Sequence, residues 1–174
     1  MLFRHWRATS FVIVSALILA SGAHAQSDGS SIGSSAVNRA WIAGGLGGGS
    51  GVVLQWEVWA AHGPLVLGYQ DSRADNIAGT TRNEQAFLGG ARLPWHSLSL
   101  LLAAGVGSAS KCVSNGEQSG TCTRSRDSGI PVITVAAGWA FSSWVGLHAS
   151  YLQPTRGSSG FAAYVVGLEV GKLR

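Results

Sequence analysis

Large apolar residues alternate with small or polar residues along most of the chain beyond residue 38. In 97–107 every second residue is Leu, Ala or Val, and the residues between them are mainly Ser, Gly and Ala. The segment 132–141 repeats the arrangement, with Ile133, Val135 and Trp139 on one side and Thr134 and Gly138 on the other. A period of two residues is that of a β-strand. Bulk on one face and small residues on the other is typical of a strand that separates lipid from the inside of a closed barrel.

Eight such segments are predicted, at 39–48, 52–60, 65–70, 83–93, 97–107, 132–141, 145–151 and 162–171. Tight turns are predicted at 61–64, 94–96 and 142–143, and longer polar loops at 71–82, 108–130 and 153–160. The first connection, near 48–51, is also short and departs from this alternation. Outer-membrane barrels are built in this way, with short periplasmic turns and long external loops. The pattern therefore predicts an all-β fold, an eight-stranded antiparallel up-and-down transmembrane β-barrel. Aromatic residues near the strand ends are expected in its two interfacial girdles: Trp41, Tyr69, Trp95, Trp144, Tyr151 and Phe161.

A soluble barrel of the lipocalin type is the alternative, with the large apolar residues pointing inward. Its outer wall would then consist of Gly, Ala, Ser and Thr with few charges, which would be poorly soluble and weak as strand. Charged residues make up only 11% of the chain, against about a quarter in a typical soluble domain. The membrane barrel is therefore favoured.

The N-terminus has the features of a secretory signal peptide. Arg4 and Arg7 give it a basic start, the apolar run 11–20 follows, and Ala23-His24-Ala25 provides a small-x-small cleavage site. The apolar run is too short for a membrane-spanning helix, which needs about 20 residues. We expect a signal peptide at 1–25, a flexible leader at 26–38 and a barrel at 39–174.

Charge and glycine patterns argue against nucleic-acid and nucleotide binding. Without the two basic residues of the signal peptide, ten Lys and Arg face eight acids, and no basic cluster is present. The glycine-rich run 44–51 lacks the Gly-Lys-Ser/Thr ending of a phosphate-binding loop. No cofactor or metal site is predicted.

The two cysteines of the chain, Cys112 and Cys122, are ten residues apart in a Ser/Gly-rich segment. Cysteines in an exported protein usually pair, so a disulfide is expected to close a small loop. A metal or redox site is not supported, because the chain has no Cys-x-x-Cys and the loop has no His.

Five ionisable residues fall on the predicted inner face: Glu57, Glu84, Arg92, His148 and Glu169. An isolated charge inside a barrel would be costly, so these residues are expected to pair with one another or with trapped water. A proton or ion path is one interpretation. A polar plug that fixes the strand register is favoured, because eight strands leave no open channel.

With a signal peptide, eight alternating segments and unequal connections, the mature chain resembles the small outer-membrane β-barrels of Gram-negative bacteria. This group includes the OmpA transmembrane domain, OmpX and the opacity-type surface proteins. The resemblance implies residence in the outer membrane and a role as an anchor, an adhesin or a surface-binding protein.

A lipid-modifying enzyme is the alternative within the same architecture. His148-Ala149-Ser150 has the His-x-Ser spacing seen in the outer-membrane lipid A deacylases, and Glu169 is the nearest downstream acid. Residues i and i+2 of a strand share a face, so a His could activate the Ser if a carboxylate oriented its ring. The Asn that follows the Ser in that family is replaced here by Tyr151.

The sequence favours a non-enzymatic, monomeric barrel in the outer membrane that serves envelope integrity, surface binding or adhesion. The disulfide-closed loop 108–130, with Lys111, Arg124 and Arg126, is the predicted contact surface for anionic lipopolysaccharide or another surface ligand. The alternatives are a lipid A hydrolase that uses His148 and Ser150, and a narrow conduit for small solutes.

Overall fold

In the computed structural model the chain forms a single closed sheet of eight antiparallel strands. The structure describes residues 38–49, 51–76, 79–114, 122–157 and 159–173. The predicted signal peptide at 1–25, and the predicted leader except Asn38, lie outside these residues. The strands are β1 (Asn38–Gly49), β2 (Val52–His62), β3 (Leu65–Asp75), β4 (Thr80–Trp95), β5 (Leu98–Ser114), β6 (Cys122–Ala140), β7 (Val145–Pro154) and β8 (Ala163–Gly171).

Each strand pairs with its neighbour in sequence, and β1 pairs with β8 to close the ring. The predicted up-and-down barrel is confirmed. Glycines make the closing ladder possible: a Cβ atom on Gly47 would lie 1.7 Å from the carbonyl oxygen of Tyr164, and one on Gly167 would lie 1.9 Å from that of Gly44. Any larger residue at either position would force the two strands apart.

The outer wall carries an apolar band, as the alternation predicts. Leu100, Leu102 and Val106 of β5 are half exposed or more, whereas Leu101 and Ala103 between them are buried. The same alternation runs through β6 and β7. Even the shortest strand, β8, has nine residues, within the 9–11 or so that a tilted strand needs to cross a bilayer. Among the described residues no helix is long and apolar enough to span a membrane.

Two aromatic residues predicted for the interfacial girdles face the interior instead. Trp41 is 2% exposed and Phe161 is 3% exposed. Trp41 has the same parity along β1 as the buried Ala43, so alternation turns its ring inward. Trp95, Trp144 and Tyr151 lie on the outer wall as expected.

The polar segments predicted as loops at 71–82 and 108–130 are mostly strand, and that prediction was wrong. β3 continues to Asp75, and the β5–β6 hairpin reaches Ser114 and Cys122. These extensions are polar on both faces, so the hydrophobic alternation disappears while the backbone pairing continues. Long strands thus rise from one end of the barrel, which we call the hairpin end. At the opposite, short-turn end the strands are joined at 63–64, 96–97 and 141–144.

The apolar band predicts how the barrel responds to a charge on its wall. Leu102 lies opposite Ala91 and Val135 within the band, so Leu102→Arg is expected to lower the free energy of unfolding by about 2–4 kcal/mol. Thr81→Arg, on the polar extension opposite Asp75, is the control and should change it little. Urea unfolding in phospholipid vesicles measures both, and equal losses would contradict the placement of the band in hydrocarbon.

Candidate functional site

A connected series of ionisable side chains occupies the interior toward the short-turn end. Arg92 Nη2 of β4 lies 3.3 Å from both carboxylate oxygens of Glu169 on β8. His148 of β7 comes next, with Nδ1 4.0 Å from Glu169 Oε2 and Nε2 3.3 Å from Glu57 Oε1 on β2. All four residues are at most 6% exposed. Four strands therefore contribute to one network, in which carboxylates alternate with nitrogen bases.

Glu57 also binds neutral donors. Its Oε2 accepts a hydrogen bond of 2.6 Å from the indole of Trp59, and its Oε1 accepts one from the amide of Gln55. Gln55 Nε2 also donates to Ser150 Oγ at 2.7 Å, and Ser72 donates to Gln55 Oε1 at 3.0 Å. Hydrogen bonds to a buried carboxylate compensate for the loss of water around it.

Two stacked tryptophans form a wall beside the charges. The rings of Trp41 and Trp59 lie 6.2 Å apart with an angle of 16° between their planes. The Arg92 guanidinium sits 4.2 Å from the centre of the Trp41 ring, a favourable cation–π geometry. Arg92 is therefore held by a carboxylate and by an aromatic face.

Glycine leaves the room that the Glu169 carboxylate occupies. A Cβ atom on Gly138 would lie 2.6 Å from Glu169 Oε1 and 2.9 Å from Ser99 Oγ. Gly146 is similarly placed, at 2.9 Å from Glu169 Oε1. The small residues on the inner face of β6 and β7 thus make space for polar groups rather than for an empty lumen.

Glu84, the fifth ionisable residue of the predicted inner face, lies apart from this network. It is 1% exposed near the hairpin end, where its Oε2 accepts a hydrogen bond of 3.2 Å from the backbone N–H of Phe161. Its Oε1 has no partner among the described residues. Glu84 therefore holds the β7–β8 connection against the barrel.

Further contacts attach the same connection to the hairpin end. Ser159 N–H donates to Asp127 Oδ2 at 2.8 Å, and the hydroxyls of Ser159 and Ser125 are 3.0 Å apart. Arg82 Nη1 donates to Gly160 O at 3.3 Å. The connection between β7 and β8 thus folds over the mouth of the barrel.

The candidate catalytic residues come close to one another without forming a triad. Both ring nitrogens of His148 face carboxylates, and the hydroxyl oxygen of Ser150 accepts its hydrogen bond from Gln55. No hydrogen bond joins His148 to Ser150 in the described part of the chain. Both side chains point into the packed interior, at 5% and 6% exposure, whereas a lipid substrate would approach from the outer wall.

The β5–β6 extension carries the disulfide and the predicted contact residues. Cys112 and Cys122 are joined, with their Cα atoms 5.5 Å apart. The register shifts between Gly107 and Ser108, and Gly129 of β6, with φ of 67°, has no partner in the ladder. This bulge reverses the parity of β6, so that Arg124 and Arg126 face outward above it.

The structure therefore divides the three predicted contact residues between two faces. Arg124 and Arg126 are exposed and lie opposite Cys112 and Ser110 on the outer face. Lys111 has the parity of the buried Ala109, on the face that continues the barrel interior. All three are in strands, so the prediction of a loop at 108–130 was wrong for them.

The alternation along the chain did not distinguish the uncharged polar residues of the interior from their small neighbours. Gln55 connects Glu57, Ser72 and Ser150, and Gln70 accepts a hydrogen bond of 3.0 Å from Thr134 on β6. The period-two spacing of Gln55 from Glu57 could have revealed Gln55, whereas Gln70 is brought beside Glu57 only by the pairing of β2 with β3. In the described residues no group of three or more His, Cys, Asp and Glu is arranged to hold a metal ion.

Solved structures of three small outer-membrane barrels share this fold. The N-terminal β-barrel domain of Pseudomonas aeruginosa OprF matches with a TM-score of 0.61 at 12% identity, over 78% of this chain and 98% of that one. Neisserial surface protein A matches with a TM-score of 0.52 at 13% identity, over 76% and 94%. Ail, the attachment invasion locus protein of Yersinia pestis, matches at 0.50 and 10%, over 77% and 97%. No protein-family model and no curated protein sequence matches this chain.

The buried Arg92–Glu169 ion pair predicts that removing one charge destabilises the protein more than removing both charges. Glu169→Gln is expected to lower the free energy of unfolding by about 3–5 kcal/mol, because it leaves the Arg92 guanidinium buried without its counter-charge. Adding Arg92→Met should restore part of that loss. Asp75→Asn, in the exposed Arg73–Asp75 pair, should cost less than about 1 kcal/mol.

Urea unfolding of the four proteins in one detergent measures these differences. A double variant no more stable than Glu169→Gln alone would show that Arg92 does not depend on the carboxylate.

Proposed function

We propose that this chain is a non-enzymatic outer-membrane barrel that contacts the bacterial surface layer through its β5–β6 extension, in support of envelope integrity or adhesion. The main support for the proposal is that the outer wall has two regions of different chemistry. An apolar band suited to hydrocarbon covers the barrel, and above it a polar, cationic hairpin extends from one end only. Such a protein is anchored by its barrel and displays its hairpin.

The unequal ends support an orientation. Short turns join the strands at 63–64, 96–97 and 141–144, whereas the longest strands pair at the opposite end. In bacterial outer-membrane barrels the short turns face the periplasm. We therefore infer that the β5–β6 extension faces the cell exterior, where it would meet the lipopolysaccharide headgroups and sugars.

The outward face of the extension suits an anionic partner. Arg124 and Arg126 are both exposed on this face, and Ser110, opposite Arg126, leaves room around the guanidinium. Arginine binds phosphate and carboxylate groups in paired hydrogen bonds. The Cys112–Cys122 disulfide restrains the hairpin before binding, which lowers the entropy lost on contact. Anionic lipopolysaccharide is the partner that this face fits.

Adhesion is the second role that the architecture supports. One structural neighbour, Ail, is named for attachment and invasion. An exposed hairpin held by a disulfide would serve contact with another surface as well as contact with lipopolysaccharide.

The packed interior favours a closed barrel over a solute conduit. Trp41, Trp59 and Leu101 fill it together with the hydrogen-bonded network, and the β7–β8 connection covers one mouth. A polar plug that fixes strand register is the role that these contacts support.

Loss of the two outward-facing arginines, Arg124 and Arg126, should weaken lipopolysaccharide binding. Arg124→Gln together with Arg126→Gln is expected to reduce affinity roughly tenfold, equivalent to about 1.4 kcal/mol. The control combines Lys111→Gln on the other face with Lys172→Gln at the short-turn end, and it removes the same net charge. Titration of the refolded proteins with purified lipopolysaccharide compares the two, and an equal loss in the control would contradict a contact by the outward face.

The enzyme alternative has its own test. Ser150→Ala is expected to leave the acylation of lipid A unchanged, because Ser150 lies in the interior network. Mass spectrometry of lipid A from cells that carry either form measures this directly. Lipid A that keeps an acyl chain only in cells with Ser150→Ala would overturn the non-enzymatic proposal.

A further inference from the structure

A cavity of about 170 Å³ lies at the short-turn end of the barrel, beside the β4–β5 turn. Its walls include Arg39 of β1, Arg92 of β4 and Ser99 of β5, and Ser97 and His96 of the turn also border it. A water molecule occupies about 30 Å³ in the liquid, so the cavity has room for a small polyatomic ion. The proposed surface function leaves this cavity without a role.

Among the described residues, the charges that line the cavity are of one sign. Two guanidinium groups border it, and none of the described lining residues is Asp or Glu. Glu169 balances Arg92 from the interior side. Among the described residues, the Arg39 side chain donates a hydrogen bond only to the neutral carbonyl of Leu173, at 3.2 Å, and forms no salt bridge. The two arginines repel each other, and an anion between them would relieve this repulsion.

The hydrogen-bonding groups of these side chains are mainly donors. Arg92 Nη1 has no acceptor among the described residues, and the Arg92 side chain is only 7% exposed. A buried donor left in this state costs about 1–3 kcal/mol. Ser99 Oγ accepts from Arg92 Nη2 at 2.7 Å, which leaves its hydroxyl proton for another acceptor. A ligand rich in acceptor oxygens would match this set.

We propose that the cavity binds a phosphate group. Phosphate presents several acceptor oxygens to two arginines, and paired Arg–phosphate hydrogen bonds are among the strongest in proteins. The source is either free phosphate or the headgroup of a phospholipid. Leu98 borders the cavity and is also half exposed on the outer wall, so the site adjoins the lipid-facing surface as well as the aqueous mouth.

Trp41 provides a reporter for the test, because the Arg92 guanidinium lies 4.2 Å from the centre of its ring. The refolded protein in a phosphorus-free detergent is titrated with inorganic phosphate in one arm and with short-chain phosphatidylglycerol in the other. The indole N–H resonance of Trp41 is followed in each titration, after assignment with Trp41→Phe. We expect a saturable shift in at least one arm, and Arg39→Gln should weaken the binding at least tenfold.

Variants distinguish binding of phosphate in this cavity from a general effect of positive charge on the barrel. Arg39 is half-buried and outside the Arg92–Glu169 pair, so Arg39→Gln should fold, and Ser97→Ala provides a second change in the same cavity. Arg156→Gln at the hairpin end is the matched control and should leave binding unchanged.

A response to phosphate alone identifies the free ion, a response to phosphatidylglycerol alone identifies the headgroup, and a response to both shows that the phosphate group suffices.

Absence of a saturable shift in both arms would overturn the proposal. A shift that persists unaltered in Arg39→Gln and Ser97→Ala would do the same, because it would arise elsewhere on the barrel.

Discussion

Closure of the sheet through the β1–β8 ladder is the constraint on which the rest of the structure depends. A strand in hydrocarbon must satisfy every backbone N–H and C=O within the sheet, and only a ring without edges does so. Gly47 and Gly167 allow the two strands to approach at the seam. Once the ring is closed, each strand has one face toward lipid and one toward a narrow interior, and the side chains are sorted accordingly.

The interior shows how an eight-stranded ring uses its limited volume. Two tryptophans fill much of one level, and the charges beside them are linked from Arg92 through Glu169 and His148 to Glu57. Because these residues come from four strands, a change of register in any one of them would separate partners that are buried from water. The network therefore opposes register slippage as well as neutralising charge.

At the hairpin end, interactions other than contact with lipid determine which way the side chains face. Above the apolar band both faces of the β5–β6 hairpin are polar, so lipid no longer decides which side chains face outward. The bulge at Gly129 and the Cys112–Cys122 disulfide shape the hairpin instead, and Glu84 attaches the β7–β8 connection across the mouth. The barrel thus supplies a rigid base on which surface groups are displayed.

The sequence by itself determined the strand number, the up-and-down order and the identity of the outward face, because the period-two alternation is local and lipid imposes it on every strand. It also placed Glu57, Arg92, His148 and Glu169 on a common inner face. Only the tertiary structure decided which of these residues meet, since partners on different strands depend on the register of the whole ring. It alone separated Glu84 from the network and extended β5 and β6 to the disulfide. Beyond the apolar band no alternation marks the strands, and the bulge at Gly129 then assigns Arg124 and Arg126 to one face and Lys111 to the other.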